Sequence, residues 1–380
     1  MAQFDMVFEG GGAKGSVFVG ALEVLQQNGH THRRLIGTSA GAITATLVAA
    51  GYEPQEMLAA VNERLPNGKP RFSSFMDPPV ASDFSAAQRQ NSETMKALQE
   101  AHIPGFLDHV LLKHLLDSRA YCHLFSLVES GGFFAGDNFL NWLVEKLGAK
   151  GIAADATLGS LFEQTGTDLS LVASDTSDIE MLVLNHRTAP ECPIAWAVRM
   201  SMSIPFVWRE VTWRAAWGQY LKRPKDGTNN SDGQPNIIVD GGVLSNFPIA
   251  LIADQPAPAS YIASLMGDDT DAHAAANLGL LIDETITVPG AVAVPGAPDA
   301  ERPPLLLDHS RTVQRIGRLV DTMMGAQDND EIKIHEKEIC RLPAKGYGTT
   351  EFDMTQERLD ALVEAGRTAM QAHLATRNLV

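Results

Sequence analysis

Two strand–glycine–helix junctions lie within the first 41 residues, and together they leave few folds open to this chain. The first reads Phe4-Asp5-Met6-Val7-Phe8-Glu9-Gly10-Gly11-Gly12-Ala13-Lys14-Gly15. The second reads Arg34-Leu35-Ile36-Gly37-Thr38-Ser39-Ala40-Gly41. In each, an apolar run predicts a short buried strand, the glycines a turn, and the following residues a helix. A β-α-β-α opening implies a parallel sheet with helices on its faces. Such sheets form their sites at the carboxyl ends of the strands, where both glycine turns fall.

The second junction has the form G-x-S-x-G. In that pattern a serine sits on a strained strand-to-helix turn, and flanking glycines remove the Cβ atoms that would clash. Ser39 is therefore the candidate nucleophile, with Gly37 and Gly41 as its supports. The helix that follows aims its amide dipoles at the reacting centre and favours negative charge there.

The first junction also satisfies G-x-G-x-x-G, a dinucleotide fingerprint, and so admits a nucleotide-binding oxidoreductase using Gly10–Gly15. That reading wants an acidic residue near the end of the second strand to hold a ribose. The sequence offers Thr31, His32, Arg33 and Arg34, and no acid follows until Glu53. A P-loop is excluded because Lys14 precedes the last glycine, Gly15. What remains is a turn presenting backbone N–H groups at a helix N-terminus. Beside a nucleophilic serine, that makes Gly10, Gly11 and Gly12 a candidate oxyanion hole.

A serine nucleophile needs a group to take its proton. Ile237-Ile238-Val239 is a strongly β-prone triplet that delivers Asp240-Gly241-Gly242. Most Asp-Gly pairs are simply turns. None of the 11 histidines, however, sits at a strand end followed by a turn. His186 ends a predicted strand but leads into Arg187-Thr188. His335-Glu336 begins like a zinc motif, but Ile339 stands where its second histidine belongs.

The motifs G-G-G-A-K-G at 10 to 15, G-T-S-A-G at 37 to 41 and D-G-G at 240 to 242, in that order, resemble the patatin-like phospholipases. Met200-Ser201-Met202-Ser203-Ile204-Pro205-Phe206 and Val243-Leu244-Ser245-Asn246-Phe247-Pro248 resemble the same family's pattern. The resemblance covers about residues 4 to 255. It implies a three-layer α/β fold with a mainly parallel central sheet and a Ser–Asp dyad. Carried over, it makes Ser39 the nucleophile and Asp240 the base. The amides of Gly11 and Gly12 become the oxyanion hole, with Gly10 shaping the turn and Gly241 and Gly242 supporting the aspartate. Lys14 stands where the family often has arginine, a cation to meet a substrate phosphate. The implied activity is a phospholipase A or lysophospholipase that acts on phospholipid or lysophospholipid without metal or cofactor. Acyl transfer on the same dyad, and a non-catalytic lipid-binding protein, are the alternatives.

The rest of the chain is less specific. Residues 84–118 read as helical with a break at Pro104-Gly105, Asp137 as the cap of a helix over 137–147, and Val207–Trp213 as a strand. Residues 218–235 read as a polar surface loop. Residues 256–380 are expected to form a C-terminal α/β extension. It would contain a loop or linker at about 286–304, helices near 308–325 and 355–375, and a strand near 332–342. A net charge of −16 disfavours nucleic acid. Three scattered cysteines point to a reducing compartment. No signal peptide and no membrane-spanning run are visible. A cytoplasmic protein with peripheral membrane contact is the expectation.

Overall fold

The computed structural model describes residues 1–100, 116, 118–222, 235–253, 260–267, 275–291, 322 and 328–379. Its strands are β1 Gln3–Phe8, β2 Thr31–Thr38, β3 Gly132–Phe134, β4 Asp168–Asp175, β5 Glu180–Leu184, β6 Phe206–Trp208, β7 Val211–Thr212, β8 Ile237–Asp240, β9 Ala276–Thr287 and β10 Ile339–Lys345. β3 and β6 pair with each other, and the remaining eight form one mixed sheet. Its body is parallel, running β10, β9, β1, β2, β4. Phe4, Val7, Phe8, Leu35, Ile36, Leu171 and Val172 are wholly buried in it. Parallel strands covered on both faces read as continuous apolar runs rather than alternating ones.

The register around β4 brings distant sequence together. Leu171 and Val172 pair with both β2 and β5, while Ala173, Ser174 and Asp175 pair with both β5 and β8. A strand has two edges, so β2 and β8 share one edge of β4 and meet end to end. Thr38 closes β2 opposite Val172, and Asp240 closes β8 opposite the next residue, Ala173.

Six helices matter for the site: α1 Val17–Gln27, α2 Ala40–Ala49, α3 Pro54–Val61, α4 Asp137–Ala149, α5 Ile194–Ser201 and α6 Gln356–Thr376. α2 is apolar nearly all round and is correspondingly buried against the sheet. α6, with the Thr355 side chain at its N-cap, packs on α1. The contact is close: a Cβ at Gly20 would come within 1.9 Å of the Val363 carbonyl oxygen, and one at Gly366 within 2.1 Å of that of Val17. β9, β10 and α6 all lie beyond residue 256 and complete the same sheet and its helical cover.

Several expectations change. β9 was not anticipated: Gly279, Asp283 and Glu284 interrupt its apolar pattern, although Leu278, Leu280, Leu281 and Ile282 are buried. The strand expected from Ile332 begins only at Ile339. Asn329–Ile334 is instead a short helix with Asp330 and Glu331 in its first turn. Asp137 lies inside the first turn of α4, and Gly136 holds the cap position. There the Asp77 carboxylate accepts the amides of Gly136, Asn138 and Asp137 itself. The strand expected over 207–213 is split into β6 and β7. Most of the proposed linker (from 292), the helix near 308–325, the break at Pro104-Gly105 and most of the polar loop (223–234) lie outside the described residues.

Candidate active site

Ser39 is the single residue between β2 and α2, so the whole reversal falls on it. Its φ of 52° is left-handed, which costs a non-glycine residue energy that its surroundings must supply. The turn is possible only because backbones close in around it. A Cβ at Gly37 would stand 2.2 Å from the Gly41 carbonyl oxygen, and one at Gly41 would stand 2.1 Å from that of Phe8. Ser39 is buried, and its amide donates to the Ser201 hydroxyl at 2.9 Å.

Asp240 reaches the same point from the other side of the junction. It is fully buried, and its Oδ1 accepts the Gly242 amide at 2.8 Å. Its own amide donates to the Ser203 carbonyl at 2.9 Å. Burial pushes the carboxyl up to about 7, against the opposing pull of the Gly242 amide and the Ser39 hydroxyl. Oδ2 is buried and receives no hydrogen bond of normal geometry, although Ser39 is the side chain beside the carboxylate. A carboxylate so placed is poised to take a proton near neutral pH.

The glycine turn packs directly on Ser39. A Cβ at Gly10 would lie 3.2 Å from that of Ser39 and 2.2 Å from Asn246 Oδ1. Gly10's amide is already committed to the Asn246 carbonyl at 3.0 Å. No hydrogen bond is found from the amides of Gly11 or Gly12 among the described residues, and Gly12 lines the cleft at φ 55°. Gly15 closes the turn against Ala40, the first residue of α2, with 2.8 Å left for a Cβ. Gly241 is pressed on the Val172 carbonyl in the same way, at 2.4 Å.

Lys14 does not line the cleft. Its ammonium is buried and meets Glu284 of β9. Beside it, Glu9 accepts the Ile282 amide at 2.5 Å and the Asn246 side-chain amide at 3.2 Å. Burial pushes the Glu9 carboxyl up to about 8, opposed by the Ile282 amide and by the Lys14 charge. Asp328 holds the same loop by accepting the Ser245 hydroxyl at 2.9 Å and the Phe247 amide at 2.8 Å. The glycine turn and the loop after Asp240 are thus both braced from beyond residue 256.

Ser39, Ala40 and Gly12 open onto an apolar cleft with about 760 Å³ of space, part of it open to solvent. Its walls include Ile43 and Leu47 of α2, Met57 and Ala60 of α3, Phe139 and Trp142 of α4, and also Phe72, Phe75, Met202, Ile204, Trp208 and Phe352. An apolar pocket of this volume with Ser39 in its lining suits an acyl chain with its ester at Ser39.

Of the residues singled out from sequence, Ser39, Asp240 and the two glycine turns come together, and Lys14 stands behind them. His186 stacks on Phe162 at 3.6 Å and faces Asp168, while His335 lies between Glu331 and Glu338. Sequence reasoning missed Glu9 and Asn246 as parts of the site. Glu9 carried a signal, an acid directly after the buried run Met6-Val7-Phe8 and just before three glycines.

A family model for "Patatin-like phospholipase" matches residues 6–254. The uncharacterised protein YqhO of Bacillus subtilis (strain 168) is 29% identical over 377 residues, covering 97% of each chain. "Probable lipid hydrolase 463L" of Invertebrate iridescent virus 6 is 23% identical over 244 residues, 64% of this chain and 61% of that protein. Among solved structures, VipD from Legionella pneumophila matches with a TM-score of 0.45 at 17% identity, over 99% of this chain and 67% of that one. ExoU of Pseudomonas aeruginosa, in its complex with SpcU, matches with a TM-score of 0.44 at 15% identity, over 99% and 53%. With two thirds of its length matched by that one model, the chain belongs to the patatin-like phospholipase family.

Proposed function

We propose that this protein is a lipid acyl hydrolase of the phospholipase A or lysophospholipase type, working through a Ser39–Asp240 dyad. The observation that carries the reading is a serine at a strained elbow, beside a buried carboxyl pushed up to about 7, in the lining of an apolar cleft. Family membership and the viral relative described as a lipid hydrolase support the substrate class.

On this reading Asp240 takes the proton of Ser39 as Oγ bonds to the ester carbonyl carbon. The carbonyl electron pair moves onto oxygen, and the amides of Gly11 and Gly12 receive that charge. Collapse of the adduct expels the alcohol, which takes the proton back from Asp240. Water then attacks the acyl-serine, with Asp240 again as base, and the fatty acid leaves as Ser39 regains its proton. The apolar cleft holds the acyl chain, and the ester is drawn from a lipid surface by peripheral contact. No helix among the described residues is long and apolar enough to cross a membrane. Residues 4–255 carry the dyad, and residues 256–380 brace it through Ile282, Glu284 and Asp328.

The test is lipid-product mass spectrometry on mixed vesicles with wild type and Ser39→Ala. Fatty acid and lysolipid should appear with wild type and be lost with the variant. Wild-type turnover by Ser39→Ala would overturn the dyad.

A further inference from the structure

Ser201, the last residue of α5, has a wholly buried side chain with both hydrogen-bonding directions in use. Its hydroxyl accepts the Ser39 amide at 2.9 Å and donates to the Val172 carbonyl at 2.6 Å. These partners have a particular relation. Thr38 is opposite Val172, so a parallel ladder running one residue further would join the Ser39 N–H directly to the Val172 carbonyl. The Ser201 hydroxyl is interposed in that bond. It extends the ladder by one atom at the point where the chain must leave the sheet and turn into α2.

The same short segment holds the other half of the dyad. The Ser203 carbonyl accepts the Asp240 amide at 2.9 Å, and the Ser203 hydroxyl donates to the Arg199 carbonyl at 2.6 Å. The Arg199 guanidinium is buried and fixed on the carbonyls of Ala135 and Arg209 at 2.9 and 3.1 Å. Residues 201–203 therefore span the gap where β2 and β8 meet on β4, with Ser39 tied to Ser201 and Asp240 to Ser203.

We propose that Ser201 is a positioning residue, whose hydroxyl holds the Ser39 elbow one atom off β4 and so sets the approach of Ser39 to Asp240. The inference rests on the dyad reading above. The hydroxyl is wholly buried and does not line the cleft, so it does not touch substrate and is not itself catalytic. Without it, the Ser39 amide and the Val172 carbonyl either stay unpaired in the core or close into a direct ladder bond. Closure would pull the elbow toward β4 and away from the attack geometry.

The experiment compares Ser201→Ala, Ser201→Cys and Ser39→Ala with wild type. Cysteine keeps the volume but bonds only weakly. Steady-state hydrolysis of a p-nitrophenyl ester, the rate of fluorophosphonate labelling and thermal unfolding are recorded for each. Both Ser201 variants should lose roughly 10- to 100-fold in kcat, the scale of a small misplacement of reacting groups, with KM within about twofold. Labelling of Ser39 should slow by the same factor in protein that unfolds cooperatively. A folded Ser201 variant with kcat and labelling within about twofold of wild type overturns the proposal. Failure of both variants to fold also overturns it, in favour of a purely structural role. If Ser39→Ala is dead while Ser201→Ala is normal, only this inference falls. If Ser39→Ala stays active, the dyad reading falls first.

Discussion

Asp240 divides its carboxylate between the Gly242 amide, 2.8 Å from Oδ1, and the flank of Ser39, where Oδ2 is buried without a regular hydrogen bond. One oxygen is fixed in place and the other is left available for a proton. This division shapes how the enzyme should respond to pH.

On the dyad reading Asp240 must be ionised to act as the base, and its carboxyl is pushed up to about 7 by burial. For a neutral ester, kcat/KM should rise about tenfold per pH unit in acid, reach half its maximum near pH 7, and level off above. A pH–rate profile at constant ionic strength measures this. A half-maximum near pH 4 would show that burial does not raise the titrating carboxyl.

The same shift has a cost in stability. A carboxyl that binds its proton more tightly when folded favours folding below its ordinary value of 3.8, and that contribution is lost as pH rises through about 7. Asp240→Asn keeps the neutral shape at every pH and can still accept the Gly242 amide. It should therefore be more stable than wild type at pH 8.5, by at most roughly 4 kcal/mol, and nearly equal to it at pH 4. Activity should fall by several orders of magnitude. Urea unfolding of both proteins at the two pH values checks the first claim, and an equal difference at both would refute it.

The cleft predicts a separable change in chain-length preference. Ala60 on α3 is buried and lines the cleft. Ala60→Phe should cut hydrolysis of long-chain esters more than tenfold while leaving p-nitrophenyl acetate within about threefold, since the bulk fills acyl space and not the dyad. A uniform loss on both substrates would place the acyl chain elsewhere.

Where α1 crosses α6, Gly20 and Gly366 each lie against the other helix's backbone. Alanine is the better helix former by about 1 kcal/mol. Even so, Gly20→Ala and Gly366→Ala should each destabilise by roughly 2–4 kcal/mol, because the added methyl meets a carbonyl that cannot rotate aside. Thermal or chemical unfolding reads this directly, and a stabilised variant would contradict the close packing.

Much of the candidate site was readable because the proposed chemistry needs particular residues at particular turns. Gly37, Ser39 and Gly41 mark an elbow, and Asp240 follows a β-prone triplet. The bracing was harder to read. Glu9, Asn246, Glu284 and Asp328 act through pairings between 81 and 273 residues apart, and nothing local marks them. Lys14 is expected from the resemblance to meet a substrate phosphate, yet its amine is paired with Glu284, on a strand whose apolar pattern is broken by its own acids. Ser201 was visible only as part of a motif. Its relation to Ser39 depends on how β2 registers against β4.

The placement of β9 has a bearing on how the protein could be dissected. The stretch that carries both residues of the proposed dyad, 6–254, is contiguous in sequence, but β1 at its start hydrogen-bonds to β9 on one side. A fragment cut after residue 254 would present β1 as a bare edge, with Phe4, Met6, Val7 and Phe8 behind an unpaired row of amides and carbonyls. Such edges recruit other chains. The recognisable two thirds of this molecule would be expected to aggregate when expressed alone, because the strand that covers its edge lies in the third that carries no motif.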